Sequence, residues 1–140
     1  KFKNVEFHIF ANVSKKISQY KKNNIYYHGR LSREKIKKMY RKSTAMICLG
    51  HDETFCLNAI ESFSQGLPII SFGKTALKDL LINNYNGFKI NKLEDLPFVI
   101  KKLLNMSLSK RNKLSLNCFK YSDKFSMNKI RIKWFKFLFN

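Results

Sequence analysis

Short apolar runs alternate with helix-spaced apolar residues along the first third of the chain. Residues 5–10 and 25–28 are rich in β-branched and aromatic side chains, which is typical of short strands. Between them, apolar residues at helical spacing predict a helix over residues 13–22. Ser32 has the chemistry of a helix N-cap, so we expect the next helix over residues 33–42.

The alternation continues to the end of the chain. Apolar runs predict three further strands at residues 45–49, 68–72 and 88–90, with a short helix over 77–82 and a turn over 83–87. Helical spacing then predicts helices over 97–104, 109–119 and 127–139. Strands that alternate with helices in this way indicate an α/β protein with a Rossmann-like parallel sheet and helices on both faces.

One further helix is expected between the third and fourth strands. It begins near Phe55 and ends at Gly66, a residue suited to a C-terminal turn, and Pro68 beyond it cannot continue a helix. Its apolar stripe, which we expect to face the core, consists of Leu57, Ile60 and Phe63.

Length and composition fit one globular domain. The 140 residues are 44% hydrophobic and 14% aromatic, which predicts a single domain over residues 1–140 with a real core. No apolar run approaches the roughly eighteen residues of a membrane span, and no signal-peptide pattern opens the chain. Because the first residue is Lys rather than Met, we expect the chain to be part of a longer protein.

The chain is strongly basic, with a formal net charge of +19. Such a charge favours nucleic acid, anionic lipid or a phosphorylated ligand as partner. The composition is also rich in Lys, Asn, Ile and Phe, and a composition-biased genome explains the charge equally well. Because the Lys residues are spread along the chain, we expect no specific nucleic acid partner. A non-catalytic basic module that binds nucleic acid or anionic lipid stays open as an alternative.

The cysteines and histidines indicate no metal or nucleophile site. Cys48, Cys56 and Cys118 are odd in number and share no metal-ligand spacing, so free thiols in a reducing cytoplasm are expected. The three His residues are scattered, and they predict neither a zinc site nor a Cys–His pair.

Two carboxylates flank the start of the helix near Phe55. Glu53 and Glu61 are eight positions apart, which corresponds to about 12 Å along a helix. They follow the strand at 45–49, and ligands of open α/β sheets bind beyond the carboxyl ends of the strands, where helix N-termini attract phosphate. This layout predicts a site for an elongated phosphorylated ligand.

The same segment carries a family resemblance. Residues 53–70, ETFCLNAIESFSQGLPII, resemble the Glu-x7-Glu signature of retaining GT-B glycosyltransferases, especially glycosyltransferase family 4. Residues 24–31, NIYYHGRL, are similar to a strand and loop of that family, and residues 36–45 to its helix with a central Tyr. Asp79 and the Asn86-Gly87 turn fall where the family has an acidic residue and an Asn-Gly turn. The resemblance runs over about residues 3–130.

The resemblance implies the C-terminal half of a GT-B fold, which binds a nucleotide-diphosphate sugar and faces an N-terminal acceptor domain that is absent here. It implies transfer of the sugar to a glycan or lipid-linked acceptor, with no metal and no other cofactor, and an isolated domain that is inactive. Glu53 would act at the transferred sugar, and Glu61 would accept hydrogen bonds from the ribose. The backbone N–H groups of Phe55, Cys56 and Leu57 would hold the diphosphate, and Arg30 and Leu31 would lie near the nucleobase. Thr54 is a further donor-binding residue implied in this way.

Some positions depart from the family pattern. Leu49-Gly50 stands where the family has Pro-Ser, and Cys56 where it has Gly. Thr75-Ala76 replaces a Gly-Gly pair, which is expected to reduce the backbone room beside the donor. The family's Gly-Arg-x4-Lys-Gly strand is expected before residue 1. A GT-B sugar-nucleotide epimerase is a second enzyme reading, although its signature lacks this Glu-Thr-Phe-x-Leu context.

The C-terminal segment, residues 127–139, combines aromatic and basic residues. Met127, Ile130, Trp134 and Leu138 share one stripe, with Lys and Arg elsewhere. This pattern predicts a closing helix that packs on this domain or crosses toward the missing one, and a peripheral contact with an anionic membrane is the alternative.

Overall fold

The computed structural model describes residues 2–10, 19, 22–50 and 55–139. The chain divides into two compact units, Lys1–Ile36 and Lys37–Asn140, and each is described by itself. The expectation of one domain over residues 1–140 stays a prediction.

The first unit contains a pair of parallel strands. These are β1, Phe7–Ile9, and β2, Ile25–Tyr27, with Phe7 opposite Ile25 and Ile9 opposite Tyr27. Both predicted strands are confirmed, at a shorter length than predicted. The helix predicted over 13–22 lies almost entirely outside the described residues. Helix α1, Arg33–Lys42, has the predicted bounds, and from Lys37 onward it belongs to the second unit.

The second unit is built on a three-stranded parallel sheet in the order β3-β4-β5. Its strands and connecting helices are β3 (Met46–Ile47), α2 (Leu57–Phe63), β4 (Ile69–Ser71), α3 (Leu77–Leu80) and β5 (Gly87–Lys89). Met46 pairs with Ile69, and Ile69 pairs with Gly87. All three residues of β4 are buried, as expected for the central strand of a sheet. The predicted α/β alternation with parallel strands is confirmed.

Two longer helices and one terminal helix follow the sheet. They are α4 (Leu96–Leu104), α5 (Leu108–Ser122) and α6 (Met127–Phe139), with short 3₁₀ turns at Leu93–Asp95 and Asp123–Phe125. The Ser107 hydroxyl caps α5 by accepting from the Lys110 N–H at 3.4 Å. Helix α5 runs three residues beyond the predicted end because Tyr121 and Ser122 are still buried against the core.

Helix α2 turns part of the predicted stripe to the core: Phe63 is buried and Ile60 packs against the core cluster, as expected. Cys56, Ala59 and Phe63 are completely buried, whereas Leu57 is 62% exposed. The expectation that Leu57 faces the core is therefore wrong. Small side chains at Cys56 and Ala59 allow this face to pack closely, and the Phe63 ring meets the Tyr121 ring edge-on with 5.8 Å between centroids.

The Asn86-Gly87 turn holds the edge of the sheet together. The buried Asn86 side chain accepts from the Ile82 N–H at 2.8 Å and donates to the Leu80 carbonyl at 2.9 Å. A Cβ on Gly87 would lie 2.2 Å from the Ile69 carbonyl oxygen, so only glycine permits β5 to approach β4 this closely. These two motif residues therefore stabilise the fold.

Helix α6 is mostly exposed. None of its side chains is buried, and Met127 and Phe137 are both 78% exposed. It carries Lys and Arg but no acidic residue. Its first turn contacts this domain, where Lys129 is paired with Asp123 and Ile130 is half-buried. The prediction of a helix over these residues is confirmed, and the membrane contact stays a prediction. Of the helices in the described ranges, none has the length and apolarity needed to cross a bilayer.

Candidate functional site

The segment between β3 and α2 carries most of the predicted site residues. The ladder continues one residue past β3, where the Cys48 N–H donates to the Ile70 carbonyl at 2.9 Å. Residues 51–54 lie outside the described residues. The roles expected for Glu53 at the sugar and for Thr54 at the diphosphate therefore stay predictions.

The start of α2 presents Phe55, Cys56 and Leu57, whose backbone N–H groups are predicted to hold a diphosphate. Phe55 is 52% exposed, and Cys56 occupies the N-cap position without a side-chain cap. The Cys56 carbonyl accepts the Ala59 N–H at 3.0 Å, which begins the helix. The Leu57 N–H already donates to the Phe55 carbonyl at 3.0 Å, so that donor has a partner within the chain.

Glu61 lies one turn further along α2 and is exposed. Within the part of the chain that the structure describes, no donor is bonded to its carboxylate. Its charge acts on Tyr40: burial first, and then the negative charge of Glu61, raise the pKa of Tyr40 to about 12.

Tyr40 is a buried residue near this segment that sequence reasoning did not single out. Cys56 and Cys48 also raise its pKa, after burial and Glu61, and the two sulfur atoms lie 3.9 Å apart. Tyr40 occupies the central Tyr of the helix over residues 36–45, which was the available signal for it.

Arg30 and Leu31 belong to the first unit. They follow Gly29, whose φ of +63° gives the left-handed turn after β2. Arg30 is exposed and Leu31 is half-buried. Their expected contact with a nucleobase stays a prediction.

The loop before α3 contains a strained residue at a position where the resembled family has glycine. Thr75 has a φ of +51°, a conformation that is unfavourable for a β-branched side chain. Its hydroxyl donates to the Lys74 carbonyl at 2.8 Å. Asp79, in the following helix, is exposed, and its carbonyl accepts the Tyr121 hydroxyl at 2.8 Å. Burial, and then the Asp79 charge, raise the pKa of Tyr121.

The ionisable side chains give little basis for a metal site. Across residues 2–10, 19, 22–50 and 55–139, no three His, Cys, Asp or Glu side chains are grouped closely enough to hold an ion. None of the three cysteines forms a disulfide in the described structure. Transfer without a metal or another cofactor stays a prediction.

Comparison with known proteins gives a family and several similar folds. The family model described as glycosyl transferases group 1 matches residues 9–121. No curated protein sequence matches the chain.

Three solved structures are similar to this chain. The GtfA/B complex has a TM-score of 0.77 at 18% identity over 95% of this chain and 29% of that chain. The pneumococcal O-GlcNAc transferase GtfA in complex with UDP and GlcNAc has a TM-score of 0.74 at 16% identity, over 94% of this chain and 28% of that chain. The C-terminal domain of a glycosyl transferase group 1 family protein (LpcC) from Francisella tularensis has a TM-score of 0.62 at 21% identity, over 80% of this chain and 60% of that chain. The likeness confirms the predicted fold of GT-B glycosyltransferases, and the chain spans less than a third of the first two.

Proposed function

Because the chain belongs to the glycosyl transferases group 1 family, we propose that it forms the donor-binding part of a retaining glycosyltransferase. The donor is a nucleotide-diphosphate sugar, and the acceptor is a glycan or a lipid-linked molecule. The observation that carries the proposal is Glu61, which lies at the second Glu of the resembled signature. It is exposed on α2 and accepts no hydrogen bond from the described residues, so its oxygens suit the hydroxyls of a ligand.

Glu61 and the start of α2 bind different parts of the nucleotide. Glu61 accepts hydrogen bonds from the ribose hydroxyls, since a carboxylate is the natural acceptor for a pair of O–H donors. The backbone N–H groups of residues 55–57 bind the diphosphate. For Leu57 this requires exchanging the 3.0 Å bond to the Phe55 carbonyl for one to a phosphate oxygen. A charged acceptor makes that exchange favourable.

The remaining proposed contacts complete the donor. Arg30 and Leu31 lie at the nucleobase, Thr54 at the diphosphate, and Glu53 at the hydroxyls of the transferred sugar. The departing diphosphate gains negative charge in the transition state, and the N–H groups that hold it stabilise this charge without a metal ion. The net charge of +19 favours the approach of such an anion.

The acceptor is proposed to bind to a second domain. The chain spans 29% of the GtfA/B chain to which it is similar, so the rest of such an enzyme contributes surfaces that this chain does not contain. One similar structure is a complex with UDP and GlcNAc, which makes UDP the first nucleotide to test here.

The test compares UDP binding in two variants. UDP at about ten times its Kd stabilises a folded protein by about 1.4 kcal/mol, which raises Tm by a few degrees. We expect this rise in the unmodified chain and in Glu94→Ala, which removes another exposed Glu. Glu61→Ala is expected to abolish it. An equal rise in Tm for Glu61→Ala would refute the assignment of Glu61 to the ribose.

A further inference from the structure

Two cysteines approach each other where β3 ends and α2 begins. Cys48 directly follows β3, Cys56 directly precedes α2, and their Sγ atoms are 3.9 Å apart. The backbone of each is fixed by the fold. The Cys48 N–H donates to the Ile70 carbonyl at 2.9 Å, and the Cys56 carbonyl accepts the Ala59 N–H at 3.0 Å. The two thiols are therefore held as neighbours by the sheet and the helix.

The two thiols differ in exposure. Cys48 is half-buried, whereas Cys56 is completely buried. A small oxidant from solvent therefore reaches Cys48 first, and Cys56 lies behind it at the distance needed to react with an oxidised Cys48. This is the arrangement of a reactive thiol with a resolving partner.

We propose that Cys48 and Cys56 form a redox modification site that hydrogen peroxide converts into an intramolecular disulfide. The Cys48 thiolate attacks one peroxide oxygen and the O–O bond breaks. Hydroxide departs, and Cys48 becomes a sulfenic acid. The Cys56 thiolate attacks that sulfur, the S–O bond breaks, and a second hydroxide leaves. The two hydroxides take up the two thiol protons as water, so the thiols lose two electrons and the peroxide gains them.

Closing the bond moves the donor-binding segment. A disulfide brings two sulfur atoms to about 2.05 Å, so the pair must close by almost 2 Å from its present 3.9 Å. Rotation of the side chains supplies part of this, and the rest shifts the backbone at Cys56. This second step rests on the proposed function, in which the N–H groups of Cys56 and Leu57 bind the diphosphate. Oxidation is then expected to weaken UDP binding about tenfold, the value of one charge-assisted hydrogen bond.

Peptide mapping tests the disulfide directly. No Lys or Arg lies between Lys42 and Lys74, so trypsin leaves both cysteines in the peptide of residues 43–74. After peroxide treatment and alkylation, this peptide should lack two hydrogen atoms and carry no alkyl group. Cleavage after Glu53 and Glu61 gives residues 43–53, 54–61 and 62–74, and the first two, which carry Cys48 and Cys56, should separate from each other only when a reductant is added. Peptides that carry sulfinic or sulfonic acid on Cys48, with no linkage, would overturn the proposal.

Serine variants provide the controls. Cys118→Ser should leave the linkage unchanged, because the Cys118 thiol donates to the Asn86 carbonyl at 3.5 Å and contacts neither of the other two sulfur atoms. Cys48→Ser should abolish the linkage, and since Cys48 is only half-buried this variant retains a satisfactory environment for its hydroxyl. Linkage of Cys118 to either of the other cysteines would contradict the geometry described here.

Binding of UDP separates this inference from the proposed function. We expect peroxide to weaken UDP binding to the unmodified chain and to leave binding by Cys48→Ser unchanged, with recovery on reduction. If the disulfide forms and UDP binding is unaltered, the coupling to the donor site is wrong. If the reduced chain does not bind UDP at all, the proposed function fails while the mapped disulfide stands.

Discussion

Gly87→Ala tests the close approach of β5 to β4 through its effect on stability. A Cβ on Gly87 would lie 2.2 Å from the Ile69 carbonyl oxygen and 3.0 Å from the Ile69 nitrogen. Both are backbone atoms of the central strand, so no side-chain rotation relieves the clash. A normal contact between carbon and oxygen is about 3.3 Å. β4 and β5 must therefore separate by about 1 Å.

The cost follows from what this separation breaks. The Ile69 N–H already donates to the Asn86 carbonyl at 3.4 Å, and a further 1 Å removes this bond. Loss of one or two ladder hydrogen bonds costs about 1 kcal/mol each, and overpacking adds about 1–3 kcal/mol. The unfolded chain loses some entropy with Ala, which returns at most about 1 kcal/mol. We expect Gly87→Ala to lower the free energy of unfolding by about 3 kcal/mol, which lowers Tm by about 10 °C.

Urea and thermal unfolding followed by circular dichroism measure this change, and Gly50→Ala is the matched control. No atom of the described residues lies within 4 Å of a Cβ built on Gly50, and its φ is not in the left-handed region. We expect Gly50→Ala to change the free energy of unfolding by less than about 1 kcal/mol. If Gly87→Ala is destabilised no more than Gly50→Ala, the described contact between β5 and β4 is incorrect.

Two further predictions concern strain and pH. Thr75→Gly should raise the free energy of unfolding by about 0.5–1 kcal/mol in urea, because it removes the cost of a positive φ in a β-branched residue. Thr44→Gly, at a position without positive φ, should instead lower it. Tyr40 has a folded-state pKa of about 12 against an ordinary value of 10.0, so the unfolded chain loses this proton first as pH rises. Its contribution, present below pH 10, should be lost between about pH 10 and 12. Tyr40→Phe should show a smaller loss of stability over that interval, whereas identical pH profiles would refute the burial of Tyr40.

The pattern of apolar residues predicted the elements well because each strand is a short run bounded by turn residues. Helix α6 and helix α1 have the predicted bounds, and β5 begins one residue early because Gly87 pairs with Ile69. Hydrophobicity identified Phe63 and Ile60 on the buried face of α2, but it misplaced Leu57 and missed Cys56 and Ala59. Close packing at Cys56 and Ala59 selects small side chains there, and leaves the more apolar Leu57 exposed.

The candidate site was predictable where the sequence repeats a family motif and less so where three-dimensional contact defines it. Glu61 and the start of α2 are visible in the signature. The 3.9 Å approach of Cys48 to Cys56 depends on how β3 leads into α2, which the spacing of two cysteines does not specify. The sequence predicts that Thr75 reduces the backbone room beside the donor. It does not predict the left-handed backbone conformation of Thr75 that the structure shows.

The exposure of α6 also affects how the protein behaves in concentrated solution. Trp134 is 59% exposed and Phe135 is 63% exposed, and exposed apolar side chains of this kind favour association with other molecules. The same helix carries four basic residues and no acidic one. Two such surfaces repel each other while their charges are unscreened, and the chain as a whole carries +19. At about 1 M salt the Debye length falls to about 3 Å, so the repulsion between the charges is screened while the apolar attraction remains. For this protein, therefore, high salt favours self-association, and low ionic strength favours a dispersed solution.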